Sequence, residues 1–190
     1  MSFASRIRDL KVERGSVALV WVGQAGFLLK TASGKIIAVD PYLSDYVYEC
    51  EKETMGLGYK RVTAPLFEPD EIHFDVLLAS HEHGDHLDIP SIPQFLEYHY
   101  IRFLTNSQSI AAMKKNGIAD SRIELIKIGD TVDFDDFQLR VTDCDHGPGT
   151  PGAMGFILDF GFTKIYYSGD TSYSLDRLQQ PIAEKPEIAL

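Results

Sequence analysis

A nearly continuous apolar run, FDVLLAS at Phe74–Ser80, restricts the fold more than any other segment of this chain. A strand with apolar residues at consecutive positions is buried on both faces, so it belongs inside a layered structure. The run leads directly into HEHGDH, which sets three of the chain's six histidines (His81, His83 and His86) beside Glu82 and Asp85. Ionisable groups concentrated at the end of a buried strand require a chemical reason.

The flanking sequence supplies the other layers. SVALVWVG (Ser16–Gly23), GFLLKTA and KIIAVD read as an antiparallel meander punctuated by Gly23, Gly26 and Ser33-Gly34, and Asp40-Pro41 ends it. IRFLTN, IELIKIG, FQLRVTDC, MGFILDF and TKIYYSG read as further strands, with Gly161 turning the last pair and Asp133–Asp136 (DFDD) as a solvated hairpin turn. Helices are expected at Ile92–His99, over SQSIAAMKKNG with Gly117 as its stop, and from SYSLDRLQQ. Tyr42–Pro69 is polar and aperiodic, and reads as a long loop of the functional or mobile kind. This order predicts a single α+β domain over residues 1–190, with sheet packed on sheet and helices outside. EKPEIAL ends within an expected buried strand, so further sequence beyond Leu190 is expected.

Charge and cysteine usage exclude several function classes. With 18 basic and 28 acidic residues the formal charge is −10, which opposes sequence-independent binding to nucleic acid. Cys50 and Cys144 form no disulfide framework and fit a reducing compartment. The charged N-terminus lacks the apolar core of a signal peptide, and no apolar stretch is long enough for a membrane span. A cytoplasmic protein acting on a small molecule is expected, with a homo-oligomer left open.

The histidine cluster has the form H-x-H-x-D-H. In extended backbone His81 and His83 share a face, and a turn through Gly84 offers Asp85 and His86 to a neighbouring position. Imidazole and carboxylate together suit first-row divalent ions; the mixed set does not separate zinc from manganese, and without cysteine it argues against a closed structural cage. His146 in DCDHGPG and Asp170 in YYSGD each follow a strand and adjoin a glycine, where the chain turns sharply enough to aim a ligand.

With these residues in view, the chain resembles the metallo-β-lactamase superfamily. VWVGQAGFLLKTASGKIIAVDPYLSD, EPDEIHFDVLLASHEHGDHLD, KIGD, DHGPGTPGAMGFIL and IYYSGDTSYS are similar to successive blocks of the branch containing L-ascorbate-6-phosphate lactonase and short metal-dependent hydrolases. The resemblance runs from Val17 to Leu190 and implies an αββα sandwich with a metal site at one edge of the packed sheets. It implies His81, His83 and His146 as ligands of a first ion, Asp85 and His86 as ligands of a second, and Asp170 as a bridge. Asp40 matches an aspartate that orients ligands from behind, with an ordinary Asx turn as its alternative. The family's last histidine, from a loop downstream of the bridging aspartate, has no counterpart before Leu190, and His73 and His99 read as structural. The second half of the sandwich is therefore expected to be incomplete, in a chain truncated at its C-terminus or one with a weak second site.

Arg61, with Lys60, is a candidate for holding an anionic substrate group, and Tyr173, with Ser172, for lining the cleft. Cys144 reads as a small buried filler, and GTPGAMG is too loose for a phosphate loop. Two divalent ions, zinc or manganese, would yield hydroxide from a shared water near neutral pH, with Asp85 or Asp170 orienting it or carrying its proton. The expected activity is a lactonase-like, metal-dependent hydrolysis of a small anionic ester or lactone. The alternatives are a phosphodiesterase on a small or lipid phosphodiester, and a catalytically inactive metal-binding fold.

Overall fold

The computed structural model describes residues 1–190, and two sheets face each other across its centre. The first contains β1 (Ala18–Gly23), β2 (Gly26–Lys30), β3 (Ile36–Val39), β4 (Val76–Ala79), β5 (Arg102–Thr105) and β6 (Ile123–Leu125), in that spatial order. β1 to β3 form the antiparallel meander, and β4, β5 and β6 add to it in parallel. The second contains β7 (Thr131–Asp133), β8 (Gln138–Asp143), β9 (Met154–Asp159), β10 (Lys164–Tyr167) and β11 (Ile188–Ala189). Its order is β11-β10-β9-β8-β7, antiparallel except for the β10–β11 pair. Five helices complete the chain: α1 (Phe3–Asp9), α2 (Tyr46–Met55), α3 (Ile92–Phe95), α4 (Ser107–Lys115) and α5 (Leu175–Glu184). None is long and apolar enough to cross a membrane.

Alternation along the strands explains the layers. Leu28, Ala38, Leu77, Ala79 and Phe103 point outward and pack with Ile7 of α1, Ile92 and Phe95 of α3, and Met113 of α4. Their neighbours Leu29, Ile37, Val39, Val76, Leu78 and Leu104 point inward, against Leu139, Val141, Phe156, Leu158 and Ile165 of the second sheet. Both faces of the first sheet are thus dry, which is why FDVLLAS carries no polar alternation. Each fully buried Leu or Ile contributes about 1.5–3 kcal/mol. On the second sheet's outer face, Glu184 of α5 pairs with Arg140 and, at 2.9 Å, with Lys164. The expected αββα sandwich is the observed architecture.

Several local expectations are corrected. The Tyr42–Pro69 loop contains α2, ten residues long, none of whose side chains is buried. It therefore has no apolar stripe of helical period to be read. The N-terminal α1 was not anticipated either; Ser2 caps it by accepting from Ser5 N at 3.2 Å, and it buries Ala4 and Ile7. Lys30 is 8% exposed and donates to the Ile7 and Arg8 carbonyls at 2.8 and 2.7 Å, satisfying orphan acceptors at the end of that helix. The helix expected over Ile92–His99 stops at Phe95. EKPEIAL does form a strand, β11, but as a sheet edge, with Ile188 at 36% exposure rather than buried. The DFDD segment joins β7 to β8 as a hairpin, and Asp136 is more than a solvated turn residue: it accepts from Thr31 Oγ1 at 2.9 Å.

Candidate metal centre

Four chain segments meet at one edge of the sandwich. The parallel pair β3–β4 delivers Asp40 and Ser80–His81 side by side, while the loops after β8 and β10 bring His146 and Asp170 from the opposite sheet. Met154 N donates to Ser80 O at 3.1 Å, pinning the sheets together here. Two glycines permit the approach. At Gly169, with φ +60°, a Cβ would stand 2.8 Å from Met154 O; at Gly84 it would stand 2.8 Å from Tyr46 Cδ1. The first lets the Asp170 turn close on the motif strand, and the second lets α2 pack on the motif itself.

His83 Nδ1 lies 3.1 Å from His81 Nε2 and 3.0 Å from His146 Nε2. His83 Nδ1 offers one proton or one lone pair and can satisfy only one of those contacts, so the three nitrogens are not satisfied by one another. The arrangement suits a cation taking three nitrogen lone pairs. A second group joins His81 and His86 to Asp170, and in each group the ligand atoms lie within 4.8 Å of one another. His86 Nε2 is 3.1 Å from Asp170 Oδ1, and His146 Nε2 is 3.7 Å from Asp170 Oδ2, so this carboxylate faces both groups. Asp85 stands apart from both: its Oδ2 is 4.0 Å from His86 Nε2, and its side chain is 45% exposed.

Asp40 sits behind the cluster and is fully buried. Its carboxylate accepts from Ser80 N at 2.7 Å, Ser80 Oγ at 2.5 Å, Tyr167 Oη at 2.6 Å and His86 Nδ1 at 2.6 Å. The Asx-turn alternative is not what is seen, because these partners lie far along the chain. The Asp40 contact holds a proton on His86 Nδ1 and turns Nε2 toward Asp170, the usual way a carboxylate orients a ligating imidazole. The Asp40 backbone has φ +44°, a left-handed conformation that aspartate tolerates better than most residues.

The electrostatics follow from this burial. Burial alone would strip the charge from His86, but the Asp40 charge and the hydrogen bonds to Asp170 and Asp40 outweigh it and raise the pKa to about 10. Burial, reinforced by the charge on His86, pushes His81 down to about 3. The hydrogen bond from His86 holds Asp170 down at about 2. In the metal-free protein near neutrality, His81 is therefore neutral, His86 is charged and Asp170 is ionised. A ligating His86 must surrender its Nε2 proton. Calorimetric titration with zinc at pH 8 in buffers of different ionisation enthalpy is expected to show about one proton released from this residue, with affinity rising as pH rises toward 10. Zero release would remove His86 from the ligand set.

Two further residues shape the centre. Asp88, unremarked in the sequence, is 2% exposed and accepts from Leu43 N at 2.8 Å, Ser44 N at 3.0 Å and Ser91 Oγ at 2.6 Å. It ties the segment after Asp40 to the histidine motif; its only signal was a carboxylate two residues beyond His86. Cys144 is the buried filler expected, and its thiol also donates to Asp170 O at 2.9 Å. Burial pushes that thiol up to about 11, so it stays protonated. His73, stacked on Tyr98 with ring centroids 4.8 Å apart, and His99 are exposed and belong to neither donor group.

Two neighbouring clefts lie beside the cluster. The inner one, about 500 Å³, is bounded by Val47, Glu51 and Met55 of α2 on one side and by His83, Asp85 and Asp170 on the other. The outer one, about 350 Å³, is lined by Arg61 as anticipated. Tyr173 is 81% exposed and lines neither cleft, and the same holds for Ser172. The cleft wall that was missed is α2, whose position depends on Gly84 and is invisible in its own periodicity.

Residues 18–190 match the protein family described as Beta-lactamase superfamily domain. A UPF0173 metal-dependent hydrolase of Thermoplasma acidophilum is 28% identical over 183 residues, covering 92% of this chain and 70% of that protein. A second, from Anaeromyxobacter dehalogenans, is 27% identical and covers 90% of this chain, which spans 62% of that relative's length. Among solved structures, a possible metal-dependent hydrolase from Veillonella parvula superposes with a TM-score of 0.68 at 18% identity, over 90% of this chain and 69% of that one. Igni18, a metallo hydrolase from Ignicoccus hospitalis, gives 0.60 at 19% identity, over 91% and 69%. The structural likenesses bear on the fold alone. With the family match spanning residues 18–190 of an αββα sandwich, the chain belongs to the metallo-β-lactamase superfamily.

Proposed function

We propose that this single domain is a metal-dependent hydrolase of the lactonase-like branch, acting on a small anionic ester or lactone with two divalent ions, zinc or manganese. The observation that carries the reading is the pair of donor groups sharing His81, with Asp170 facing both. The residues fit the cations, because three ring nitrogens converge where they cannot satisfy one another. His81 Nε2, His83 Nδ1 and His146 Nε2 would hold one ion, and His86 Nε2, Asp170 and Asp85 the other. Bound there, the ions supply Lewis acidity that lowers the pKa of water and polarises the scissile oxygen.

The chain's own groups do the rest. Asp40 holds the His86 proton on Nδ1, so Nε2 stays available. Asp85 lines both clefts beside the ligands, where its carboxylate can orient the attacking water and accept its proton. As the water oxygen bonds to the acyl carbon and the ester carbon–oxygen bond breaks, that proton passes to the departing alkoxide. The walls of α2 limit bulk water at the inner cleft.

Elemental analysis with a paired activity screen tests the reading. About two ions per chain and turnover of lactones, but not of bis(p-nitrophenyl) phosphate, is expected. Turnover of the phosphodiester alone would make the protein a phosphodiesterase. One ion or none without turnover would make it an inactive metal-binding fold. His83→Ala is expected to abolish turnover of either substrate, and unchanged turnover would remove the assigned centre.

A further inference from the structure

The outer cleft has its own chemistry, which the metal centre does not use. Val47, Tyr59 and Asp85 line both clefts, so the outer one lies directly beside the inner one. Its walls carry large apolar side chains left open to solvent: Trp21 at 61%, Tyr59 at 48% and Val62 at 99% exposure. Trp21 Nε1 donates to Gln24 O at 2.8 Å, which fixes the indole by its only donor and leaves its ring available for contact.

The same cleft holds two adjacent cations without an acidic partner. Arg61 gives Nη1 to the Tyr42 carbonyl and Nε to Thr63 O at 3.3 Å, while Nη2 makes no hydrogen bond and no carboxylate pairs with the guanidinium. Lys60 Nζ lies 4.5 Å over the Tyr48 ring and forms no ion pair. In a chain of formal charge −10, unpaired basic side chains beside exposed aromatic surface are a specific recognition feature. The one carboxylate of this cleft, Asp85, lies at its junction with the metal centre.

We propose that the outer cleft binds the non-reacting end of the substrate, an aromatic body with a terminal anionic group. Trp21, Tyr59 and Val62 cover the ring, and Arg61 Nη2 takes the anion. The proposal rests on the hydrolase reading for the word substrate and on the cleft alone for the binding. It places the anion at the far end from the scissile bond, so specificity depends on the span between Arg61 and the metal ligands.

Trp21 is the only tryptophan, so its emission reports occupancy of this cleft without turnover. The metal-loaded protein would be titrated with 2-phenylethanesulfonate, 2-phenylethanol and ethanesulfonate, the sulfonate being a poor ligand for divalent ions. The aromatic sulfonate is expected to bind about tenfold more tightly than the alcohol, the value of one charge-assisted hydrogen bond, and more tightly than ethanesulfonate, which has no ring to bury. Arg61→Gln should reduce it to the level of the alcohol, while His83→Ala should leave its binding in place. Equal affinity for the sulfonate and the alcohol in the unsubstituted protein would overturn the anion site without any variant. Loss of binding in His83→Ala would put the probe on the metal centre and overturn the proposal. Intact probe binding in a protein that turns over no ester or lactone would support the cleft and defeat only the ester or lactone reading.

Discussion

Replacing Asp40 with alanine is expected to cost about 3–5 kcal/mol of folding stability in the metal-free protein, the scale for breaking a buried charged pair. The substitution leaves Ser80 N, Ser80 Oγ, Tyr167 Oη and the charged His86 ring without their shared acceptor, in a site closed to bulk solvent. Each orphaned donor costs about 1–3 kcal/mol, but the contributions do not add, because hydroxyls can rotate and His86 can lose its charge. Metal affinity at the His86 group should also fall about 10–100-fold, since nothing then holds the imidazole with Nε2 forward. Asp40→Asn should be milder: it tolerates the positive φ and keeps one acceptor oxygen, but its amide nitrogen must face a donor. Denaturant unfolding after chelation, with elemental analysis after reloading, measures both effects. A metal-free Asp40→Ala protein within about 0.5 kcal/mol of the parent, the usual range for an unimportant surface change, would refute the keystone role.

His81→Ala should remove the ion held with His83 and His146, because His81 Nε2 is the fully buried member of that triad. His86→Ala is expected to remove the other ion, and either substitution should abolish turnover. The metal-free protein offers a second readout. Folded His81 has its pKa lowered from 6.5 to about 3, so between those values the unfolded chain binds a proton that the folded chain refuses. The residue therefore makes the metal-free fold lose stability as pH falls through that window. His81→Ala should flatten the acid limb there, despite the cavity it leaves. A variant that retains two ions would show that His81 is not a ligand, and an acid limb unchanged in slope would show that it is not held neutral.

Much of this architecture was legible because physics wrote it locally. The consecutive apolar positions of Phe74–Ser80 report a strand covered on both faces, and the alternation of Leu28/Leu29 and Ile37/Ala38 assigns side chains to two different cores. The ring nitrogens of His81 and His83 do lie 3.1 Å apart, although the chain bends through them after β4 instead of running extended. Where the signal was tertiary, local reading failed. α2 buries none of its own side chains, so no period marks it, and its place over the motif rests on the absence of a Cβ at Gly84. Asp88 looks like any polar residue after a motif until the chain brings Leu43 and Ser44 to it.

Residue order alone thus determined the layers and the candidate ligands, since burial patterns and ligand types are properties of each segment by itself. Only the folded chain decided which ligands share an ion site, that Asp85 stands back from both, and that Tyr173 faces solvent while Arg61 lines a cleft. Those outcomes depend on distances between segments far apart in the chain, such as the 3.0 Å contact of His83 with His146, 63 residues away. Close packing of two sheets sets such distances, and no short window of sequence contains them.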